Sequence, residues 1–320
     1  MRKILESRLK IAFMLVLLLT IVLVIATAVG SEQLSFFNLT DQQRTILFDI
    51  RIPRVLLGAC VGAALAVSGA ALQSLLRNPL AEPYLLGVSN GAALGTMLAF
   101  VFFEEVEWSR PMLAFAGAGI ATFAVYQMAK SRTGMNVERL VLSGVIVTTF
   151  LSSILVLLTS LLDATKLRSF TFWLLGDLSQ ATINGVYLTL AVSVVGTIIL
   201  SSQAKSLNLL MIGERDAFDL GVEVGRVRLI VFVVVSVLVG STVAASGSVG
   251  YVGLIVPHLV RLAVGSDNRL VVPFSAVAGA IFVVLADTVA RTAIAPRELP
   301  VGAITALIGA PLFIYLLKRN

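Results

Sequence analysis

The clearest ionisable residue inside an apolar stretch is Asp287, in VVLADTVAR. A carboxylate in a membrane-spanning helix is costly, so it often belongs to a functional path such as a proton relay. Arg291 follows four residues later, a spacing that places both side chains on one face of a helix. The sequence therefore favours a structural ion pair near the end of a span, with a proton relay as the alternative.

Other reactive residue types are too few for catalysis. His258, in IVPHLVRL, is the only histidine, and Cys60 is the only cysteine, so neither a disulfide nor an ordinary zinc site can form. The sequence offers no nucleophile with a base, no carboxylate pair and no GxxxxGK[ST] phosphate loop. We therefore expect that this chain is not an enzyme and that it holds no metal and no cofactor of its own.

The longest well-charged interruption between apolar runs is residues 205–228, KSLNLLMIGERDAFDLGVEVGRVR, called here the charged segment. Each charge costs roughly 2.5–3.5 kcal/mol in hydrocarbon, so this segment lies in water. Its apolar residues alternate with polar ones around Gly213 and Gly221, which predicts two short amphipathic helices broken at glycines. The segment is then either a solvated connection or a docking surface for a soluble partner.

The composition is that of a polytopic membrane protein. Of 320 residues, 58% are hydrophobic and 13% are charged, with a mean hydropathy of +0.98. So few charges could not solvate the surface of a water-soluble protein of this length. A bilayer core of about 30 Å needs about 20 helical residues, which predicts an all-α fold with a single membrane domain over residues 1–320. The ten predicted spans are roughly 11–30, 54–76, 85–103, 111–130, 138–161, 183–203, 227–245, 249–265, 271–290 and 301–317.

Basic residues predict the orientation. Ten spans place both termini on one side, and 16 of the 24 lysines and arginines fall on that side. By the positive-inside rule both termini and the charged segment are cytoplasmic, in a multi-pass protein of the cytoplasmic (inner) membrane. The net charge of +6 reports this bias and does not imply nucleic acid as a partner. The first apolar run is too long for a cleaved signal peptide, so we interpret it as a retained span.

Small residues mark the helices that pack in the interior. Residues of this kind on one helical face allow two backbones to approach closely in a membrane. They recur at spacing four in the second and third spans, at Gly58, Gly62, Ala66 and Ala70 and at Gly87, Gly91 and Gly95. Both spans are therefore predicted to be interior helices, and close packing alone explains the pattern.

Two connections have unusual composition. In residues 77–92, Pro79 and Pro83 forbid a continuous helix, and Arg77 and Glu82 are expected to hold the turn in water. Residues 165–180 are too short to span the membrane and too apolar for an ordinary loop. They fit a re-entrant or interfacial helix, which is tolerated at depth only against protein or a water-filled cavity.

The predicted outer face also carries arginines. Arg51 and Arg54 flank Pro53 at the predicted membrane surface, and Lys166, Arg168, Arg291 and Arg297 share that face. Positive charge on the outer face is the opposite of what the positive-inside rule predicts, so this predicted cationic rim indicates a binding function. It would bind lipid phosphate or receive an acidic partner.

Four blocks of the sequence carry a family pattern. They are RIPRVLLGACVGAALAVSGAALQSLLRNPLAEPYLLGVSNGAALG, GSVGYVGLIVPHLVRLAVGSDNR, SAVAGAIFVVLADTVAR and ELPVGAITALIGAPLFIYLL. These blocks closely resemble the FecCD-type, vitamin B12 permease-like family of ABC importer permeases (type II importers), which take up iron-siderophores, haem and cobalamin. The resemblance runs from about Ile50 nearly to the end of the chain, and it is far less specific for the substrate than for the family.

The resemblance implies roles for two groups of residues. Outer arginines that meet glutamates of a substrate-binding protein match Arg51, Arg54 and Arg291. The segment that couples such permeases to their ATPase lies within the charged segment and matches Ile212, Gly213, Glu214, Arg215, Asp216, Ala217, Phe218, Asp219, Leu220 and Gly221.

The resemblance also implies an inner gate and a set of partners. The gate falls at Asn78 and Leu80 in the RNPLAEP turn and at Asn136 and Val137 before the fifth span. The implied partners are two ATP-binding subunits that hold ATP and Mg, an extracytoplasmic substrate-binding protein, membrane lipid, and a second permease subunit that is either a copy of this chain or a paralogue.

The expected function is therefore import of an iron(III)-siderophore complex, with energy from a separate ATPase subunit. Cobalamin or haem import by the same mechanism is the first alternative. A gradient-driven secondary transporter using Asp287 is the second.

Overall fold

The computed structural model describes residues 2–30, 40–103, 106, 108–131 and 134–319. Apart from one hairpin of two-residue strands, β1 (Lys130–Ser131) and β2 (Gly134–Met135), its regular structure is helical. A π-helical turn, Ile46–Arg51, leads into the third helix, and a 3-10 turn, Pro83–Leu86, precedes the fourth. The α-helices are α1 (Arg2–Ala28), α2 (Asp41–Thr45), α3 (Ile52–Leu75), α4 (Val88–Phe102), α5 (Ser109–Ala129), α6 (Val137–Thr159), α7 (Ala164–Leu174), α8 (Ile183–Ser202), α9 (Ala204–Ile212), α10 (Glu214–Asp219), α11 (Val224–Ser246), α12 (Val252–Val264), α13 (Asn268–Thr292) and α14 (Val301–Arg319).

Each of the ten predicted spans corresponds to an apolar helix, so the predicted all-α multi-pass fold is confirmed. Within the described residues, seven helices are long and apolar enough to cross a membrane, and α4, α12 and α14 carry shorter apolar stretches. The 13 residues of α12 extend only about 20 Å, less than a bilayer core of about 30 Å. Its start is delayed because Gly247 and Tyr251 adopt left-handed backbone conformations, with φ of 66° and 68°.

Helix α3 lies at the centre of the bundle and packs against α8, α11, α12 and α13. Its small residues permit this: a Cβ added at Gly62 would overlap the Gly279 carbonyl, and one at Gly69 would overlap the Gly253 carbonyl. Glycines of α4 make the same close approach to α5. The prediction that the second and third spans are interior helices is confirmed, because only residues without a side chain fit at these crossings.

The two ends of the bundle differ. One end, the charged-segment end, carries α9, α10 and the β hairpin, and the opposite end carries α7. The predicted short helix within residues 165–180 is α7, which ends at Leu174, while residues 175–180 form turns; Phe170 of α7 is buried against the Phe100 ring. Past α7, the Asp177 N–H donates to the Ser246 carbonyl (2.8 Å), which caps the end of α11. Hydrogen bonds to other parts of the chain thus satisfy backbone groups that follow α7, and its depth in the membrane stays a prediction.

Candidate coupling and docking sites

The charged segment folds as two short helices. Gly213 separates α9 from α10, and α10 ends in a left-handed residue, Gly221, with φ of 83°. The Gly221 N–H donates to the Phe218 carbonyl and the Val222 N–H donates to the Ala217 carbonyl, both at 2.9 Å. These two bonds form a Schellman motif, which needs a left-handed residue at this position and explains the glycine. The predicted breaks at both glycines are confirmed.

The apolar side chains of these helices divide into two sets. Leu207, Leu210 and Ala217 are buried against the bundle. Ile212, Phe218 and Leu220 are exposed by 70%, 71% and 65%. Lipid cannot cover these three, because the charges around them keep the segment in water. An exposed apolar cluster in water typically marks an interaction surface, so the geometry favours docking over a plain connection. The coupling role itself stays a prediction.

An amide network fastens α9 to the bundle. The Asn208 side chain donates to Asp267 Oδ1 (2.7 Å) and accepts from the Asn268 backbone N–H (2.8 Å). Asn268, fully buried, accepts in turn from the Ser74 hydroxyl at 2.8 Å. The hydrogen bond from Arg269, supported by that from Asn208, lowers the pKa of Asp267 to about 2. Sequence reasoning missed this network, although Asp267 and Asn268 lie in one of the family blocks.

Glu214 fastens α10 to the bundle. Its carboxylate forms ion pairs with Arg77 (3.5 Å) and with Arg228. Arg228 Nη1 also donates to the Met135 carbonyl at 3.0 Å. A cleft of about 400 Å³ opens beside α10; its lining comprises Met135, Glu214, Arg215, Phe218, Val224, Gly225 and Arg228.

The residues of the predicted inner gate lie in two turns at the charged-segment end. Asn78 Oδ1 accepts from the Leu80 N–H (2.8 Å), which closes a tight turn and leaves Leu80 about half exposed. Asn136 caps α6 by accepting from the Arg139 N–H (3.0 Å), and Val137 is the first residue of that helix. Both turns are therefore held by an asparagine side chain, and their role as gate stays a prediction.

Glu82 does not hold its turn in water as expected. It is half-buried, and its Oε1 accepts from the backbone N–H of Tyr251 at 2.9 Å. Burial raises the pKa of Glu82, and the hydrogen bond from the Tyr251 N–H opposes that shift. The expectation failed because the left-handed Tyr251, just before α12, presents an N–H that no helical carbonyl can satisfy.

The three predicted docking arginines are buried at the opposite end. Arg54 donates to Asp287 at 2.9–3.1 Å and to Glu298 at 2.8 and 3.0 Å. Arg291 lies 3.6 Å from the Asp287 carboxylate, and Arg51 donates to a carbonyl at the end of α1. Each of the three arginines is exposed by only 5–6%.

This cluster confirms one interpretation and overturns another. Asp287 and Arg291 form the predicted ion pair. The interpretation of Arg51, Arg54 and Arg291 as an open cationic rim is wrong, because carboxylates and helix-end carbonyls surround them. Their role in docking stays a prediction. Sequence reasoning missed Arg54 as the main partner of Asp287, because 233 residues separate the two and no local spacing links them.

A cleft of about 450 Å³ lies next to Glu298 at the same end. Arg168 and Arg297 are the exposed basic residues of its wall. The full lining comprises Arg168, Phe172, Gly176, Asp177, Ser179, Ile294, Arg297, Glu298, Leu299 and Pro300. Arg168 and Arg297 are therefore the basic residues of this cleft that an approaching partner can reach, and the buried cluster lies behind Glu298.

A helical bundle with seven helices of membrane-spanning length among the described residues, a water-facing helix pair at one end and a charged cleft at the other is the architecture of a multi-pass membrane protein. A model of the FecCD transport family matches residues 12–319, so the chain belongs to this family of ABC importer permeases. The structure superposes with a TM-score of 0.88, at 36% identity, on a metal-chelate type ABC transporter in an inward-facing conformation, covering 97% of this chain and 99% of the other.

Two relatives have different cargo in their names. The cobalamin import system permease protein BtuC of Halobacterium salinarum is 45% identical over 285 residues, covering 88% of this chain and 76% of that protein. The hemin transport system permease protein HmuU of Yersinia pestis is 38% identical over 325 residues, covering 98% and 97%. The resemblance inferred from the motifs is confirmed, and it spans substrates as different as a corrin and a porphyrin.

Proposed function

We propose that this chain is the permease subunit that imports an iron(III)-siderophore complex across the cytoplasmic membrane, driven by two separate ATP-binding subunits. The observation that carries the proposal is the exposed apolar cluster of Ile212, Phe218 and Leu220 on two helices that cannot lie in lipid. The likeness to a metal-chelate type transporter supports the choice of cargo. Import of cobalamin or haem is the alternative, supported by the names of the two relatives.

The translocation path of the proposed importer runs between two permease subunits, either two copies of this chain or this chain and a paralogue. Uncovered apolar residues of α6, among them Leu142, Phe150 and Val156, would contact that partner or lipid. ATP and Mg are held by the ATP-binding subunits. Both termini and the charged segment face the cytoplasm, in line with the bias of basic residues.

A gradient-driven carrier fits the geometry less well. Its proton relay would need Asp287 to give up and regain its charge. The Asp287 carboxylate lies between the guanidinium groups of Arg54 and Arg291 and is 3% exposed, so its contacts are with protein cations and not with a water-filled path. Membrane spans that carry few charged side chains also suit an importer, since an uptake path must release the cargo that it binds.

The proposed function predicts a nucleotide-dependent complex. The permease, purified together with its ATP-binding subunits, should retain them through size-exclusion chromatography. Reconstituted in liposomes with its binding protein, it should take up a radiolabelled iron(III)-hydroxamate complex only when ATP is present. Uptake by the permease alone without nucleotide would contradict the proposal. ATP-dependent uptake of cobalamin or haem, and not of the iron complex, would support the proposed mechanism but contradict the proposed substrate.

Docking of the binding protein would require Arg54 to change partners. The Arg54 side chain is 7% exposed, and its donors are taken by Asp287 and Glu298. The Asp287 side chain is 3% exposed and cannot leave, whereas that of Glu298 is 44% exposed and borders the charged cleft. We therefore propose that a carboxylate of the binding protein displaces Glu298 from Arg54 while Arg168 and Arg297 attract the acidic surface.

Replacing Glu298 by glutamine is therefore expected to strengthen docking, because the neutral amide competes less well for Arg54. A partly exposed ion pair contributes up to about 1 kcal/mol, so the Kd should fall by up to about fivefold. The measurement is binding of the binding protein to the permease complex in nanodiscs. Asp177→Asn is the matched control, since Asp177 lies in the same cleft and binds the Ser179 N–H instead. Equal or weaker docking of Glu298→Gln relative to this control would contradict the exchange.

A further inference from the structure

We propose that Glu214 is the positioning residue through which movement of the charged segment reaches both turns of the predicted inner gate. The inference rests on the proposed function, since it assigns a path to force that enters at α10. It goes beyond that function by naming the side chains that carry the force.

One carboxylate connects three parts of the chain. Glu214 is the first residue of α10. It forms an ion pair with Arg77, which directly precedes Asn78 of the first gate turn. It also forms an ion pair with Arg228, which donates to the Met135 carbonyl (3.0 Å). Met135 directly precedes Asn136 of the second gate turn. A displacement of α10 therefore pulls on both gate turns through two ion pairs.

Burial distinguishes the Arg228 half of this connection from an ordinary surface pair, whereas Arg77 and Glu214 are 47% and 43% exposed. The Arg228 side chain is 13% exposed, and among the described residues its Nε has no hydrogen-bond acceptor. Glu214, itself 43% exposed, is thus the carboxylate that neutralises a largely buried guanidinium. In the same segment, Arg226 forms an ion pair with Glu223 in which both side chains are 73% exposed. Such a surface pair contributes little free energy. The chain therefore contains its own control pair.

The backbone at Arg77 is a second, independent observation. The Arg77 N–H donates to the Ser74 carbonyl and the Asn78 N–H to the Gln73 carbonyl, which ends α3 in a Schellman motif. Arg77 occupies its left-handed position with φ of 50°, where glycine is the usual residue. A side chain kept at a strained position indicates that the side chain is needed. Here its contact is the ion pair with Glu214.

The strain supplies a discriminating variant, Arg77→Gly. Glycine relieves the backbone and removes the connection to Glu214, so stability and coupling should separate. The melting temperature of the assembled transporter should be unchanged or higher, and movement of the gate turn on nucleotide binding should be lost. A purely structural ion pair would give the reverse, a lower melting temperature with a normal gate response.

The gate response is measured by cysteine labelling, which needs no knowledge of the cargo. In a Cys60→Ala background, which removes the only native cysteine, Leu80→Cys reports the gate turn and Ile212→Cys reports docking of the ATP-binding subunits. We expect vanadate-trapped nucleotide to change the maleimide labelling rate at position 80. In Arg77→Gly that change should shrink at least about fivefold, the lower end of typical coupling between sites. Arg226→Gln, with the same loss of charge, should leave it intact.

The outcomes separate the two proposals. If the ATP-binding subunits do not protect the cysteine at position 212 in the otherwise native chain, the proposed function fails. If they protect it and Arg77→Gly responds at position 80 as Arg226→Gln does, the role of Glu214 is refuted. A lower melting temperature for Arg77→Gly would contradict the strain argument. Glu214→Gln then decides, because it must abolish the response at position 80 if the connection transmits force.

Discussion

Phe218→Asp is expected to separate the permease from its ATP-binding subunits and to abolish nucleotide-driven uptake. Phe218 is 71% exposed on α10, where aspartate can be solvated without loss of the helix. In a docked complex the aromatic ring would be buried, and aspartate would bring a charge into its pocket. Loss of such an aromatic contact costs about 2 kcal/mol or more, equivalent to at least about 30-fold in Kd. Co-purification of the subunits and ATP-dependent uptake by liposomes measure the effect.

Two control variants separate the apolar character of Phe218 from the charge of its helix. Phe218→Leu keeps an apolar side chain and should retain the subunits with a smaller loss of affinity. Asp219→Asn changes the charge of the same helix by one unit in the opposite sense and tests for a general electrostatic effect. If Phe218→Asp retains its subunits and its uptake, the exposed cluster is not the docking surface, and another face of the charged segment must be sought.

Asp287→Asn is expected to cause the largest loss of stability among single substitutions at the opposite end. The carboxylate is 3% exposed and neutralises Arg54 and Arg291, which have side-chain exposures of 7% and 5%. Removing one partner of a buried ion pair leaves an uncompensated charge, at a cost of about 3–5 kcal/mol. Thermal unfolding in detergent and the yield of folded protein measure it. An exposed acid near the same end, Asp49, provides the matched control Asp49→Asn, which should behave like the unmodified chain.

A double variant distinguishes an ion pair from simple packing. Arg54→Gln with Asp287→Asn removes both charges of that pair and should recover part of the stability lost in Asp287→Asn alone, since Arg54 no longer leaves a buried charge and only Arg291 stays without its carboxylate. Additive losses would show that the two residues act independently. The same result would restore the proton-relay alternative for Asp287, because that alternative does not need an ion pair with Arg54.

Local patterns in the sequence predicted the elements because those patterns depend on neighbouring residues. Apolar runs of bilayer length predicted the helices, and Gly213 and Gly221 marked where the helices of the charged segment end. The same reasoning misplaced Glu82 and the outer arginines. In both cases the polar residue type predicted exposure to water, but a partner distant in sequence offsets the cost of burial. The partner is the Tyr251 N–H for Glu82 and the Asp287 carboxylate for Arg54.

The sequence by itself determined that the chain is a helical permease of a known family, with a water-facing helix pair and a set of arginines whose charges need partners. Only the tertiary structure decided which partners these are. Arg54 meets Asp287 across 233 residues and Arg77 meets Glu214 across 137, distances at which helical periodicity carries no information. The sequence shows that a buried arginine needs a carboxylate partner, because an unpaired buried charge is costly. Which carboxylate that is depends on how the helices pack through their small residues.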